Sequence, residues 1–134
     1  MKEENMEIAR HAFYVFELEE SESLISLTWT ERTADMTDAD FKDALLQFAN
    51  QVVNHRIRRC LVDVRNFGHT MSDTVDSWRI AEIIPRYRKA GVEKFAFVVP
   101  GGADAAAVTK PGEPFLTRFC GSLESARAWL LGTA

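Results

Sequence analysis

The chain has 134 residues, of which 46% are hydrophobic and 27% are charged, a composition typical of a soluble globular protein and unlike that of a disordered one. Its length predicts a single domain over residues 1–134 with one core. A formal net charge of −4 argues against general nucleic-acid binding, which usually requires a basic domain.

The amino-terminal residues, the absence of a long apolar run and the cysteines predict a cytoplasmic protein without metal or cofactor. No stretch approaches the ~18 apolar residues of a membrane span, and residues 1–5 lack the basic and apolar regions of a signal peptide. Cys60 and Cys120 have no paired spacing that suggests zinc. We therefore expect two buried, unpaired thiols.

The first regular structure expected is a β-hairpin. Residues 1–11 are polar and acidic without a clear period, and we expect them to be frayed. Residues 12–18 are aromatic and β-prone, and residues 24–30 are also rich in β-formers. The short polar connector between these two runs predicts antiparallel strands.

The first helix is predicted by its cap and its periodicity. Thr37 can accept a hydrogen bond at the helix start, and the carboxylates of Asp38 and Asp40 suit the positive end of the helix dipole. A single apolar stripe follows at helical spacing, formed by Phe41, Ala44, Leu45, Phe48, Ala49, Val52 and Val53. Such a stripe predicts packing against a sheet.

Residues 60–67 contain the predicted central strand. Their opening run is mostly apolar and includes Val62 and Val64, as expected of a strand that is covered on both faces. Polar residues begin at Asp63 and continue through Arg65, where the strand should leave the sheet. In open α/β sheets, ligands usually bind at that end of the strands.

A second helix should follow, capped by Ser72 or Asp73. Pro85 lacks a backbone donor and predicts a kink or break near Ile84, and Gly91 is expected to end the helix. Residues 95–99 form another apolar run, and residues 103–114 indicate a mobile loop or a short helical turn.

The last elements are a short strand over residues 115–119 and a helix. Ser122 can cap this helix, whose apolar face would contain Leu123, Ala126, Trp129 and Leu130. Strands that alternate with helices favour parallel crossovers. The predicted class is α/β, with a small mixed sheet that begins with an antiparallel hairpin and is flanked by helices.

Four stretches of the chain resemble the SpoIIAA-like proteins, a bacterial family related to STAS domains and similar in fold to CRAL-TRIO lipid-binding domains. The stretches are Leu61-Val62-Asp63-Val64-Arg65; Trp78-Arg79 with Ile83-Ile84-Pro85; Ala90-Gly91-Val92 with Lys94-Phe95-Ala96-Phe97; and Arg118-Phe119 with Ser122-Leu123-Glu124 and Ala128-Trp129-Leu130. The resemblance implies non-enzymatic work, either binding of an apolar or lipid-like molecule or regulation through a partner. The chain departs from the family over residues 103–114, which are rich in small side chains.

The expected ligand site lies between the second helix and the sheet. Its apolar wall would come from Trp78, Ile83, Ile84 and Tyr87, and Arg65 or Arg79 would hold an acidic head group. His69 lies in the same loop as Arg65. Two simpler interpretations are that the apolar side chains are ordinary core and that Asp63 forms an ion pair with Arg65 or Arg79. No nucleophile with a partnered base is evident, so no catalytic residue is assigned.

The STAS relationship suggests a second function, in which a serine or threonine near a helix start is phosphorylated. Thr70 and Ser72 lie in the comparable loop, although Ser72 can equally be an ordinary helix cap. A phosphate there would change a partner-binding surface. This regulatory alternative predicts a protein partner whose affinity changes when Ser72 is replaced by aspartate.

Basic side chains gather at the predicted entrance to the parallel strands. They suit a protein partner or peripheral contact with an anionic membrane, and a solvated face balanced by the acidic first half is the alternative. The set comprises Arg56, Arg58, Arg59, Arg86, Arg88, Lys89 and Lys94. A homodimer is also compatible with the sequence.

Overall fold

Residues 5–132 are described by the computed structural model, in which all seven strands belong to one mixed sheet. The strands are β1 (Met6–Arg10), β2 (Tyr14–Glu19), β3 (Leu24–Trp29), β4 (Arg59–Asp63), β5 (Lys94–Val98), β6 (Val108–Thr109) and β7 (Leu116–Cys120). Their order across the sheet is β1-β2-β3-β4-β5-β7-β6. The pairs from β3 to β7 through β4 and β5 are parallel, whereas β1, β2 and β6 pair antiparallel with their neighbours.

Helices cover both faces of the sheet. They are α1 (Asp38–His55), α2 (Val75–Trp78), α3 (Ile84–Ala90) and α4 (Leu123–Leu131), and a π-helical segment, Arg79–Ile83, joins α2 to α3. One core lies on the face covered by α1 and α3, which we call the α1 face, and a smaller core lies under α4, on the α4 face. The predicted α/β class, with its mixed sheet and hairpin, is confirmed.

Local signals in α1 and α4 explain where these helices begin. The Thr37 hydroxyl accepts from the Asp40 N–H at 3.1 Å, and the Asp40 carboxylate accepts from the Thr37 N–H at 3.0 Å. Ser122 caps α4 through the Ser125 N–H, as expected. Leu123 was placed on the apolar face of α4, but it is exposed because it begins the helix outside the contact with the sheet.

The amino-terminal prediction was wrong where the structure describes this part of the chain. Met6–Arg10 form β1, an edge strand, whereas residues 1–4 of the expected frayed segment lie outside the described residues. An edge strand needs little burial, and only Ile8 and Ala9 contact the core. A paired Glu7 and Arg10 keep this edge charged.

The central strand occupies the expected position but ends earlier than the sequence suggested. Its last residue is Asp63, whose Oδ1 accepts the Arg65 N–H at 3.1 Å. Because this side-chain bond competes with the β-ladder, the chain turns over residues 64–67.

Helix two and the following loop also differ from expectation. Thr74, not Ser72 or Asp73, precedes α2, and its side chain makes no capping bond. The disruption expected at Pro85 takes the form of the π-helical turns that precede it, and Gly91 ends α3 with φ 92°. Residues 103–114 form no helical turn; they contain β6, whose pairing with β7 requires extended backbone.

Candidate ligand-binding site

A cavity of about 610 Å³ lies on the α1 face, between the sheet and the helices. Eight aromatic residues line it. The strands contribute Trp29, Phe95, Phe97 and Phe119, and the helices and the loop after β4 contribute Phe41, Phe48, Phe67 and Tyr87. Its volume falls in the range of roughly 300–1,000 Å³ that is typical of small-molecule sites.

The aromatic floor follows from strand geometry. Phe95 and Phe97 are two residues apart on β5 and therefore share a face, and Phe97 is the register partner of Phe119 on β7. Their rings stack, with centroids 5.1 Å apart for Phe95–Phe97 and 5.4 Å apart for Phe97–Phe119. This arrangement presents a continuous apolar surface to the cavity.

The cavity opens beside the loop after β4 and the start of α2. Met71, Ser72, Asp73 and Asp76 all line the cavity and are exposed. The deeper lining is apolar and the opening is mostly polar. An amphipathic molecule matches this gradient.

A buried ion pair joins the π-helical segment to the loop before β7. Arg79 Nη2 donates to Glu113 Oε2 at 2.8 Å, and the Thr117 hydroxyl donates to Glu113 Oε1 at 3.2 Å. The Glu113 side chain is 3% exposed and that of Arg79 is 19% exposed. Arg79 lines the cavity, but its charge is already balanced by Glu113.

Lys110 lines the cavity as a second cation. Its ammonium lies 5.9 Å from the ring centroid of Phe97 and 5.2 Å from that of Phe119. The side chain is half-buried on this floor. Such placement over aromatic faces stabilises a cation and still leaves its N–H donors available.

Of the six predicted ligand residues, Arg79 and Tyr87 line the cavity, whereas Arg65, His69, Trp78 and Ile83 do not. Arg65 forms a bidentate ion pair with Asp63, at 3.0 and 2.8 Å, as the simpler interpretation of the sequence expected. Cys60 and Val62 belong to the core on the α1 face and Leu61 to that on the α4 face. Because neighbouring residues of a strand point to opposite faces, Asp63 points to the α4 face. Its ion pair holds the Arg65 side chain on that same face.

The remaining three predicted residues have structural partners. His69 Nε2 lies 2.8 Å from Asp38 Oδ1, so the loop after β4 is tied to the start of α1. Ile83 is fully buried in the core, and the ring of half-buried Trp78 lies beneath the Lys42 ammonium. None of these three residues lines the cavity, and a role for them in ligand binding stays a prediction.

Burial raises the pKa of the Tyr87 hydroxyl and, likewise, that of the Cys60 thiol. Both groups therefore stay neutral at physiological pH. At Asp38, hydrogen bonds from Ser72 and then His69 lower the pKa of the carboxyl.

The phospho-switch at Thr70 or Ser72 stays a prediction. Both residues are exposed, and Ser72 lies at the cavity opening. The Ser72 N–H is 3.4 Å from Asp38 Oδ2, and Asp73 follows directly. A phosphate on Ser72 would therefore meet like charge.

The basic side chains do gather at one end of the parallel strands, since Arg59 and Lys94 are register partners. Several are engaged by the protein itself. Arg59 donates to the carbonyls of Glu22 and Leu130, and Lys94 donates to that of Trp129 at 2.9 Å, so both satisfy acceptors that include the end of α4. Contact with a partner or membrane through this edge stays a prediction.

Sequence reasoning missed Lys110 and most of the aromatic floor. The spacing Phe95-x-Phe97 could have indicated the floor, because two aromatic rings on one face of a strand need another part of the protein to shield them from water. Lys110 gave no signal, since its position depends on the pairing of β6 with β7.

Within residues 5–132, no group of three or more His, Cys, Asp or Glu side chains is arranged to hold a metal ion. No helix in the same range is long and apolar enough to cross a bilayer. Comparisons of the chain with protein-family models, with curated proteins and with solved structures find no match. The likeness to SpoIIAA-like proteins therefore stays a resemblance carried by the four stretches named above.

Proposed function

We propose that this protein is a non-enzymatic binding module that takes a small apolar or amphipathic, lipid-like molecule into the cavity on the α1 face. The observation that carries the proposal is the cavity itself, about 610 Å³ in volume and lined by eight aromatic residues. Its exposed polar opening beside Ser72 and Asp73 supports an amphipathic ligand over a purely apolar one.

The energy available from such a lining is sufficient for binding. Each methylene removed from water contributes about 0.8 kcal/mol, so a chain of about sixteen carbons contributes about 13 kcal/mol before costs. Estimates of the cost of association run from about 4 kcal/mol upward. At that lower bound, a chain of about sixteen carbons would bind in the micromolar range or tighter, and one of about twelve carbons would bind with a dissociation constant of about 0.1 mM.

Native mass spectrometry of gently purified protein tests the proposal. We expect a retained small molecule, or uptake of dodecanoate by protein that has been stripped of ligand. If the wild-type chain neither retains a molecule nor takes up dodecanoate or dodecanol, the proposed function is wrong.

A matched pair of variants locates the binding site. Val64 is half-buried and lines the cavity, so Val64→Phe places a ring in that space. We expect it to abolish uptake while the ligand-free protein stays folded, because the added ring enters open cavity space and not the packed core. Val15→Phe is the matched control. Val15 lies on β2 and its side chain is on the face of the sheet away from the cavity, so this variant should retain binding. Uptake by Val64→Phe at the wild-type level would show that the ligand lies elsewhere.

A further inference from the structure

Lys110 differs from the other cations near the binding site in having no salt bridge among the residues that the structure describes. Arg79 is balanced by Glu113, and Arg65 is held by Asp63 on the other face of the sheet. Lys110 instead rests on the rings of Phe97 and Phe119 at the cavity wall.

In this setting, the Lys110 ammonium would gain further stabilisation from an anion placed beside it. Its half-burial removes part of its water, and aromatic faces return only part of the lost stabilisation. An anionic oxygen brought beside it would form a charge-assisted hydrogen bond, which is stronger than a neutral one. The same molecule could cover the rings of Phe97 and Phe119 with its apolar part.

We propose that the ligand is an anionic amphipath with a single carboxylate, and that Lys110 pairs with this carboxylate. This inference rests on the proposed function. One lysine supplies a single positive charge, which balances a singly charged carboxylate but not a doubly charged phosphate monoester. Asp73 and Asp76 also line the cavity, and their exposed carboxylates would repel a doubly charged head group more than a singly charged one.

By themselves, the carboxylates of Asp73 and Asp76 would favour a cationic head group. Both side chains are exposed, so water and salt screen their charges. Lys110 lies on the apolar floor, where a bound tail would exclude water and strengthen its interaction with the head group. The balance therefore favours an anion.

A series of ligands that differ only in head group tests the assignment. Binding of dodecanoate, dodecanol and dodecylammonium is measured by isothermal titration calorimetry, below the micelle concentrations of the two ions and below the aqueous solubility of dodecanol. We expect wild-type protein to bind dodecanoate about tenfold more tightly than dodecanol, and dodecylammonium most weakly.

Variants of Lys110 identify the group responsible. Lys110→Met keeps an unbranched side chain on the rings and should weaken dodecanoate about tenfold while leaving dodecanol unchanged; Lys110→Arg should keep the preference for dodecanoate. Lys89→Met, which removes an equal charge from an exposed position on α3, should change neither affinity.

The outcomes separate this inference from the proposed function. If dodecanol or dodecylammonium binds wild-type protein as tightly as dodecanoate, or if Lys110→Met leaves the preference for dodecanoate over dodecanol unchanged, the role of Lys110 is refuted and the cavity remains a binding site. If none of the three molecules binds, the role of Lys110 is refuted, and the proposed function is wrong as well if the purified protein also retains no small molecule.

Discussion

Replacing Arg79 by methionine should destabilise the protein by leaving Glu113 buried without a countercharge. The Glu113 side chain is 3% exposed, and after the change the Thr117 hydroxyl at 3.2 Å would be its one remaining side-chain donor among residues 5–132. Breaking a buried pair in this way costs roughly 3–5 kcal/mol. Because Arg79 itself is 19% exposed, we expect the low end of that range, about 3 kcal/mol.

Urea unfolding followed by circular dichroism measures this loss, and thermal unfolding should show a decrease of about 10 °C for a chain of this length. A double-mutant cycle provides the control. Glu113→Gln keeps the shape and an acceptor for Thr117, so Arg79→Met combined with Glu113→Gln should be more stable than Arg79→Met alone. A loss below about 1 kcal/mol in Arg79→Met would refute the reasoning, since it is the value expected of a solvated surface pair.

Two further predictions follow from pKa shifts. Hydrogen bonds from Ser72 and His69 lower the pKa of Asp38 below its ordinary value of 3.8, so the contribution of Asp38 to stability is present above that pH and is lost as the pH falls through the lower folded-state pKa. NMR titration of the Asp38 carboxyl should give a midpoint below 3.8; a wild-type midpoint at or above that value would contradict the assignment. Burial raises the pKa of both cysteine thiols, so a thiol reagent at about pH 8 should label Cys60 and Cys120 only after unfolding, and rapid labelling of the native protein would show that the burial is wrong.

Features set by neighbouring residues were predictable from the sequence. The start of α1 depends on Thr37 and Asp40, which are three residues apart, and the buried stripe that follows is repeated over several turns. The central position of β4 was also predictable, because a mostly apolar run needs cover on both faces. These signals lie within a few residues of the elements that they specify.

Features that depend on distant pairing were not predictable in the same way. Arg65 was assigned to the ligand site, but the face on which it lies depends on where β4 ends and on the alternation from Val62 to Asp63. Lys110 reaches the aromatic floor only because β6 pairs with β7. A change of one residue in either register would reverse which side chains face the cavity.

The π-helical segment Arg79–Ile83 lets the helical stretch over residues 75–90 hold one residue more than regular winding would allow. The wide turn absorbs this residue locally, so the α-helical turns on either side keep the faces that they present to the sheet. Deleting one residue within the segment should therefore restore regular winding and leave Val75, Asp76 and Tyr87 at the cavity wall. Deleting one residue from a regular α-helix would instead rotate the turns on either side by about 100° relative to each other. Changes of one residue in length should therefore be tolerated at this segment better than in the regular helices beside it.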